Sequence, residues 1–234
     1  MKKLVSSLLA CTVVACSLFS CGSSSGSDDK KEKKESKKEP KAAELLVGKW
    51  KMDDLNTQGI DSGGLMFTAD GKGGIYEDTS SLLHFVDDGL EIGAGEQSTV
   101  ISKEFFTEEG DKLTIDVSGQ KMLVMTKLEA KDGYDGKYAL DGGILFDTIK
   151  QGLEGKGLDE NKALNININF EGEKSEVLFN DLFTYTVDGS KLTVAGFAGF
   201  LESDKDEVSA DFTIDGDKLT IKDSEKETVL TRVE

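Results

Sequence analysis

Short runs in which apolar and polar residues alternate make up most of the chain after residue 44. The clearest is residues 165–170, Asn-Ile-Asn-Ile-Asn-Phe, and the alternation recurs at Leu113 with Ile115 and at Leu219 with Ile221. A period of two is typical of a strand that buries one face. Asp-Gly pairs, which favour tight hairpin turns, begin at positions 70, 88, 132, 135, 141, 188 and 215. The pattern predicts antiparallel strands joined by short turns.

The alternating runs form two copies of one pattern, at about 48–129 and 136–234. Gly-Lys-Trp at 48–50 opens the first copy, and Gly-Lys-Tyr at 136–138 opens the second. Several later landmarks follow in the same order, namely 85–92 with 185–194, 106–115 with 212–221, and 126–129 with 231–234. A shared order of landmarks indicates an internal repeat.

Each copy is predicted to contain eight short strands. In the first copy they lie around 48–53, 63–69, 72–77, 81–87, 90–93, 99–107, 111–117 and 121–129. In the second they lie around 136–141, 163–171, 174–180, 182–187, 190–196, 207–214, 217–222 and 226–234. The exception is the insertion 144–158, where apolar residues at 144, 145, 146, 149 and 153 predict a short helix. Its apolar face, Leu145, Ile149 and Leu153, either packs on the strands or forms a lid over a ligand.

Eight consecutive antiparallel strands leave two unpaired edges unless the sheet closes on itself. Closure into an up-and-down barrel removes both edges. The expected fold is therefore all-β, with two tandem small antiparallel eight-stranded barrels and a short helix after the first strand of the second. The barrels would occupy residues 44–130 and 131–234. A single mixed sandwich is the structural alternative.

The Gly-Lys-Trp on the first strand, with a basic residue on the last, resembles the pattern of lipocalin-like (calycin-type) barrels. The resemblance implies that an aromatic ring plugs the closed end and that a cation packs over it. The corresponding pairs would be Trp50 under Lys127 and Tyr138 under Arg232. A cation over an aromatic face stabilises a fold by roughly 0.5–2 kcal/mol. Small bacterial lipocalin-like lipoproteins are the nearest likeness.

The N-terminus has the form of a secretory signal, in which Lys2 and Lys3 precede an apolar stretch from 4 to 19. The sequence Leu-Phe-Ser-Cys at 18–21 resembles a bacterial lipobox. The resemblance implies a signal peptide at 1–20 and a lipid anchor on Cys21, at the extracytoplasmic face of a bacterial cell membrane. Val-Val-Ala-Cys, ending at Cys16, fits the lipobox pattern as well. An ordinary cleaved signal or an N-terminal membrane helix would also account for the apolar stretch.

Residues 21–43 are predicted to be a disordered charged tether, because residues 22–43 contain no aromatic or β-branched residue to bury. Residues 22–43 hold seven lysines and five acidic residues. Residues 44–234 hold 19 basic and 40 acidic residues, a formal charge of about −21. Nucleic acid is therefore not an expected partner, since its binding depends on Lys and Arg contacting phosphates.

No catalytic or metal-binding residue is predicted. His84 has Ser80 and Asp87 nearby in sequence, but no nucleophile elbow surrounds these residues. The acidic turns at 132–136 and 204–207 lack the ligand spacing of an EF-hand. No cofactor is expected.

The sequence therefore predicts a non-catalytic, lipid-anchored binding or interaction module. Its ligand would be a small apolar molecule held inside a barrel, or a surface protein or wall polymer bound outside. The competing hypotheses are an enzyme or enzyme inhibitor whose site is built from loops, and a purely structural surface protein.

Overall fold

The computed structural model describes residues 42–52, 62–155, 159, 161–196, 207–222 and 227–233. The expected signal peptide, Cys11, Cys16, Cys21 and nearly all of the tether lie outside the described residues. In this part of the chain the fold is predominantly β and its sheets are antiparallel, as the alternation predicted.

The described elements are sixteen strands, two α-helices and two short 3₁₀ helices. The strands are β1 (Gly48–Met52), β2 (Ser62–Phe67), β3 (Lys72–Asp78), β4 (Leu83–Val86), β5 (Gly89–Ile92), β6 (Thr99–Ser102), β7 (Phe106–Glu109), β8 (Lys112–Val117), β9 (Gln120–Ala130), β10 (Gly136–Gly142), β11 (Asn165–Glu171), β12 (Lys174–Asp188), β13 (Lys191–Gly196), β14 (Glu207–Asp215), β15 (Lys218–Lys222) and β16 (Glu227–Val233). The α-helices are α1 (Ala42–Leu46) and α2 (Ile144–Glu154), and the 3₁₀ helices are Gly95–Gln97 and Lys103–Phe105.

Three predicted strands differ from their observed form. The strand expected at 99–107 is divided into β6 and β7 by the 3₁₀ helix Lys103–Phe105. The strands expected at 174–180 and 182–187 form one continuous strand, β12. Asp181, with a φ of 57°, lies where the pairing of β12 with β3 shifts register. This irregularity lets one half of β12 pair with β11 and the other with β13.

Thirteen of the described strands form one sheet, in the order β13-β14-β15-β16-β1-β2-β3-β12-β11-β10-β9-β8-β7. Because β12 also pairs with β13, the eight strands β1, β2, β3, β12, β13, β14, β15 and β16 form a closed ring of pairings. The remaining strands, β4, β5 and β6, form a separate three-stranded sheet.

The strand pairing differs from the expected tandem arrangement, in which each copy closes on itself. The first strand of copy one, β1, pairs with the last strand of copy two, β16, in the register Trp50↔Arg232. In the same way β9, which ends copy one, pairs with β10, which opens copy two. The two copies also share the pairing of β3 with β12. The first strands of the two copies, β1 and β10, have similar patterns, and so do the last strands, β9 and β16. Each first strand is therefore compatible with either last strand, and the pattern alone does not specify the pairing.

One continuous hydrophobic core contains buried residues from both copies. On the ring strands, Phe67 of β2 packs edge-on against Tyr185 of β12, with ring centroids 5.1 Å apart. Outside the ring, Phe170 of β11 makes the same kind of contact with Phe85 of β4, with ring centroids 4.6 Å apart. The copies therefore stabilise each other through shared burial as well as shared hydrogen bonds.

Helix α2 buries the face that the sequence predicted, Leu145, Ile149 and Leu153. It packs against β9 and β10. The insertion therefore adds apolar contacts to the core at this position. No helix in the described part of the chain has the length and apolar character needed to cross a membrane.

Candidate functional site

Trp50 is fully buried at one end of the ring, where Arg232 covers it. The guanidinium carbon of Arg232 lies 4.2 Å from the ring centroid. The indole Nε1 donates a hydrogen bond to the Leu46 carbonyl at 2.7 Å. Arg232 also donates to the carbonyls of Leu45 and Val47, so it holds the end of α1 against the ring. The predicted partner of Trp50 was Lys127, and this pairing is wrong.

Tyr138 lies on β10, outside the ring, in the part of the sheet that we call the second end. It occupies the position equivalent to Trp50, under Lys127 rather than the predicted Arg232. The Lys127 Nζ lies 5.4 Å from the Tyr138 ring centroid and 3.3 Å from the Gly133 carbonyl, to which it donates. The Tyr138 hydroxyl donates to the Tyr134 carbonyl at 2.9 Å. Burial, and to a lesser extent the charge of Glu108, raise the pKa of Tyr138 to about 12. Tyr138 is therefore a neutral hydrogen-bond donor at physiological pH.

The two ends correspond residue by residue. Trp50 bonds to the carbonyl four residues before it, and Tyr138 does the same. Leu46 and Tyr134 are thus equivalent positions. The pairs Gly48↔Phe67 and Gly136↔Phe170 are equivalent in the same way.

The chain that leads into these equivalent positions differs between the ends. Before Leu46 the chain forms α1, which packs against β12 and β14, and Leu46 is completely buried. Before Tyr134 the chain leaves β9 and turns within residues 131–133 without a helix. Tyr134 is only half-buried. Among the described residues, no helix stands at this second end in the place of α1, although Tyr138 is as completely buried as Trp50.

A surface pocket of about 670 Å³ lies at this second end, and we call it the uncovered pocket. Both copies build it, since the β4–β5 turn belongs to copy one and residues 172–173 belong to copy two. Residues 133–135 come from the link between the copies. Its lining residues are Phe85, Val86, Asp87, Asp88, Val100, Lys103, Gly133, Tyr134, Asp135, Gly172 and Glu173.

The uncovered pocket has an apolar floor. Phe85 stacks on Tyr134 with ring centroids 4.9 Å apart and an angle of 20° between the planes. Both rings also contact Phe106. Val100 adds a large apolar side chain that is 48% exposed. Exposed apolar residues grouped beside a pocket are a common feature of binding surfaces.

The rim of the uncovered pocket is predominantly acidic. It carries Asp87, Asp88, Asp135 and Glu173 against one lysine, Lys103. Both carboxylate oxygens of Asp135 accept from the Gly172 amide, at 3.0 and 3.1 Å. This carboxylate is fixed in place and joins two walls of the pocket.

Lys103 lies across the aromatic floor. Its Nζ is 5.6 Å from the centroid of the Tyr134 ring, which places a cation over the aromatic face. Burial raises the pKa of Tyr134, and its hydrogen bond with Glu108 raises it further. The floor of the pocket is therefore uncharged at physiological pH, and the site already accommodates one cation on an aromatic surface.

A second surface pocket, of about 540 Å³, lies beside β3 and β12 and is more polar. The Lys49 ammonium bonds both Glu176 oxygens at 2.6 Å and lies 5.3 Å from the Tyr76 ring centroid. The charges of Lys49 and Glu176 therefore neutralise each other beside the second pocket. The second pocket therefore offers a partner less uncompensated charge than the uncovered pocket does.

The residues that could form a hydrolytic triad have separate partners. His84 lies opposite Glu91 on β5, with Nε2 3.5 Å from the carboxylate. The Ser80 hydroxyl donates to Asp78 at 2.6 Å and accepts from the Ser175 amide at 3.0 Å. Asp87 lines the uncovered pocket. These contacts give Ser80 and His84 roles in holding turns and strands together.

Among the described residues, no group of three or more His, Cys, Asp or Glu side chains is arranged to hold a metal ion. The acidic turn at 132–136 uses Asp135 to bind the backbone of Gly172. Of the other acidic turn, residues 204–206 lie outside the described part of the chain.

The uncovered pocket was not predicted from the sequence. The available signal was the comparison of the two copies: the segment before Gly48 contains Leu45 and Leu46, whereas the segment before Gly136 is a short polar turn. That difference indicates that only the first copy has an apolar segment in front of its first strand. It locates a pocket only after the strands have been paired.

Comparisons with protein families, with curated proteins and with solved structures find no match for this chain, so the assignment of function depends on its own residues and geometry.

Proposed function

We propose that the protein is a non-catalytic binding module, anchored by a lipid on Cys21 to the extracytoplasmic face of a bacterial membrane. It recognises a partner on its outer surface. The observation that carries the proposal is the uncovered pocket, which combines an apolar floor with an uncompensated acidic rim.

Recognition inside the ring has less support than recognition at the surface. Large side chains on the ring strands are almost completely buried, among them Trp50, Leu65, Leu219 and Leu230. Side chains packed at the density of a protein interior leave little room for a ligand. This packing favours a surface partner over a small apolar ligand carried inside.

The proposal also covers how the strands are divided into units. We interpret the two ends, each with an aromatic ring beneath a cation, as two lipocalin-like units that exchange strands. The support is the matched pairs Trp50 with Arg232 and Tyr138 with Lys127. The anchor is supported by the sequence around Cys21.

Native mass spectrometry of the full chain, extracted from bacterial membranes in mild detergent, tests this function. We expect the wild type and the Cys16→Ser variant to carry a covalent lipid on a chain that begins at Cys21. The Cys21→Ser variant should lack the lipid, because its thiol is the proposed attachment atom. We also expect no small apolar molecule to remain bound.

Two results would contradict the proposal in different ways. A chain without lipid, or one still lipidated in Cys21→Ser, would refute the anchor assignment. A reproducible small apolar molecule, lost on denaturation, would make the protein an internal carrier and refute recognition at the surface.

A further inference from the structure

We propose that the uncovered pocket binds a short, basic, amphipathic helix of a partner protein. This inference rests on the proposed function and names the class of partner. It follows from three properties of the described residues, namely an internal precedent, an exposed apolar floor and the charge of the rim.

The internal precedent is α1, the short helix of the chain itself that packs beside Trp50 at the first end. Helix α1 places Leu46 in the core and lies where the chain approaches Trp50. Arg232 donates hydrogen bonds to the Leu45 carbonyl of α1 and to the Val47 carbonyl just after it. At the second end the equivalent aromatic residue and cation, Tyr138 and Lys127, are present, but no helix precedes Tyr134. The fold thus shows that a short helix can pack at such an end.

The apolar floor supplies the contact that a helix with leucine side chains needs. Among the lining residues, Tyr134 is half-buried and Val100 is 48% exposed. Covering these side chains would remove apolar surface from water at roughly 25 cal/mol per Å². An amphipathic helix presents such a stripe through residues three and four apart.

The rim determines the sign of the partner's charge. Asp87, Asp88 and Glu173 line it, and Asp135 is fixed beside them by the Gly172 amide. Among the described residues that line the pocket, Lys103 is the one base. Lys and Arg on the polar face of a helix would pair with these carboxylates and accelerate its association.

Other occupants fit these properties less well. The lysine-rich segment 22–43 of the chain itself has no aromatic or β-branched side chain and no leucine to contact the floor. In a second copy, α1 carries Glu44 and already buries Leu46 against its own core. An anionic membrane surface would be repelled by the rim.

Fluorescence anisotropy with a defined probe tests the inference on the full chain in detergent. The probe is a labelled helical peptide of about 14 residues with leucines at positions i, i+3, i+4 and i+7 and lysines elsewhere. One control peptide has the same composition in scrambled order, and another has glutamate in place of lysine. We expect saturable binding of the amphipathic basic peptide at one site.

Matched variants locate the binding. The double variant Asp87→Asn/Asp88→Asn should weaken binding about fivefold to tenfold, because it removes two charges from the rim. The variant Asp188→Asn/Asp215→Asn removes the same charge from two other exposed turns and should change binding less than about twofold. The Val100→Ser variant should weaken binding but leave the dependence of affinity on ionic strength unchanged, because it removes an apolar contact and no charge. Melting curves verify that each variant is folded.

Three results would overturn the inference: equal binding of the scrambled peptide, equal losses in the two double variants, or no binding by any peptide. The first two would show attraction by net charge without a site. The Cys21→Ser variant should bind the probe with wild-type affinity, since the anchor lies outside the pocket. Loss of the anchor and failure of the pocket are therefore distinguishable.

Discussion

The Trp50→Ala variant is expected to lose about 3–5 kcal/mol of unfolding free energy, the range for large buried aromatic residues replaced by alanine. Trp50 is completely buried, lies under Arg232 at 4.2 Å and bonds the Leu46 carbonyl. Its removal leaves a cavity in the hydrophobic core beside β1 and leaves the Arg232 cation without its aromatic surface. Urea unfolding followed by circular dichroism measures the change.

The Trp50→Phe variant is the matched control, because it keeps an aromatic face under Arg232 and loses the indole hydrogen bond. It should be destabilised clearly less than Trp50→Ala. Since strands of both copies pair with each other, we expect one unfolding transition in every case. If Trp50→Ala melted like the wild type, Trp50 would not be a central core residue.

The Gly64→Ala variant is expected to lose about 3 kcal/mol of unfolding free energy, the upper part of the range for overpacking. A Cβ at Gly64 would collide with the backbone carbonyl of Trp50 on the neighbouring strand. A backbone atom within a paired strand has little freedom to move away. The added methyl group would therefore separate β1 from β2 or distort their register.

Gly142→Ala tests whether this cost comes from the collision. A Cβ at Gly142 would meet only Val124, at an ordinary contact distance of 3.9 Å. Gly142 also belongs to a strand, β10, so the change in backbone entropy is similar. We expect less than about 1 kcal/mol for this variant. Equal unfolding free energies for the two alanine variants would rule out the close approach of β1 and β2 at Gly64.

The positions of the strands were predictable because they depend on local signals. Alternation placed β11 within two residues of its observed limits, and the apolar spacing of 144–153 located α2 to within one residue. Turns such as Asp188-Gly189, with a φ of 60° at the glycine, follow from the same local chemistry.

The pairing of the strands was not predictable from those signals. Alternation specifies which face of β1 is buried, but it does not distinguish β9 from β16 as its neighbour. Both carry a basic residue that can cover an aromatic ring, Lys127 in one case and Arg232 in the other. The choice depends on contacts between distant segments, including the register Ile75↔Phe179 that joins the two copies.

The uncovered pocket was missed for the same reason. Phe85 and Tyr134 are far apart in the sequence, and their contact is not visible in the local pattern of either segment. Asp87 and Glu173, which share its rim, come from hairpin turns of different copies. Each turn alone is an ordinary acidic loop.

The pairing of β1 with β16 joins the two copies and is the exchange of strands on which the proposed architecture depends. A disulfide cross-link between β1 and β16 detects this exchange, in a full chain whose cysteines at 11, 16 and 21 are replaced by serine. Lys51 and Thr231 are directly opposed on these strands, which brings two cysteines there within bonding range.

The matched control places the second cysteine at Thr126, the position in copy one that corresponds to Thr231. Mild oxidation followed by peptide mass spectrometry measures the yield of each cross-link. The interlocked fold predicts a high yield for Lys51→Cys/Thr231→Cys and a low yield for Lys51→Cys/Thr126→Cys. The reverse result would show that each copy closes on itself and would refute the interlocked fold.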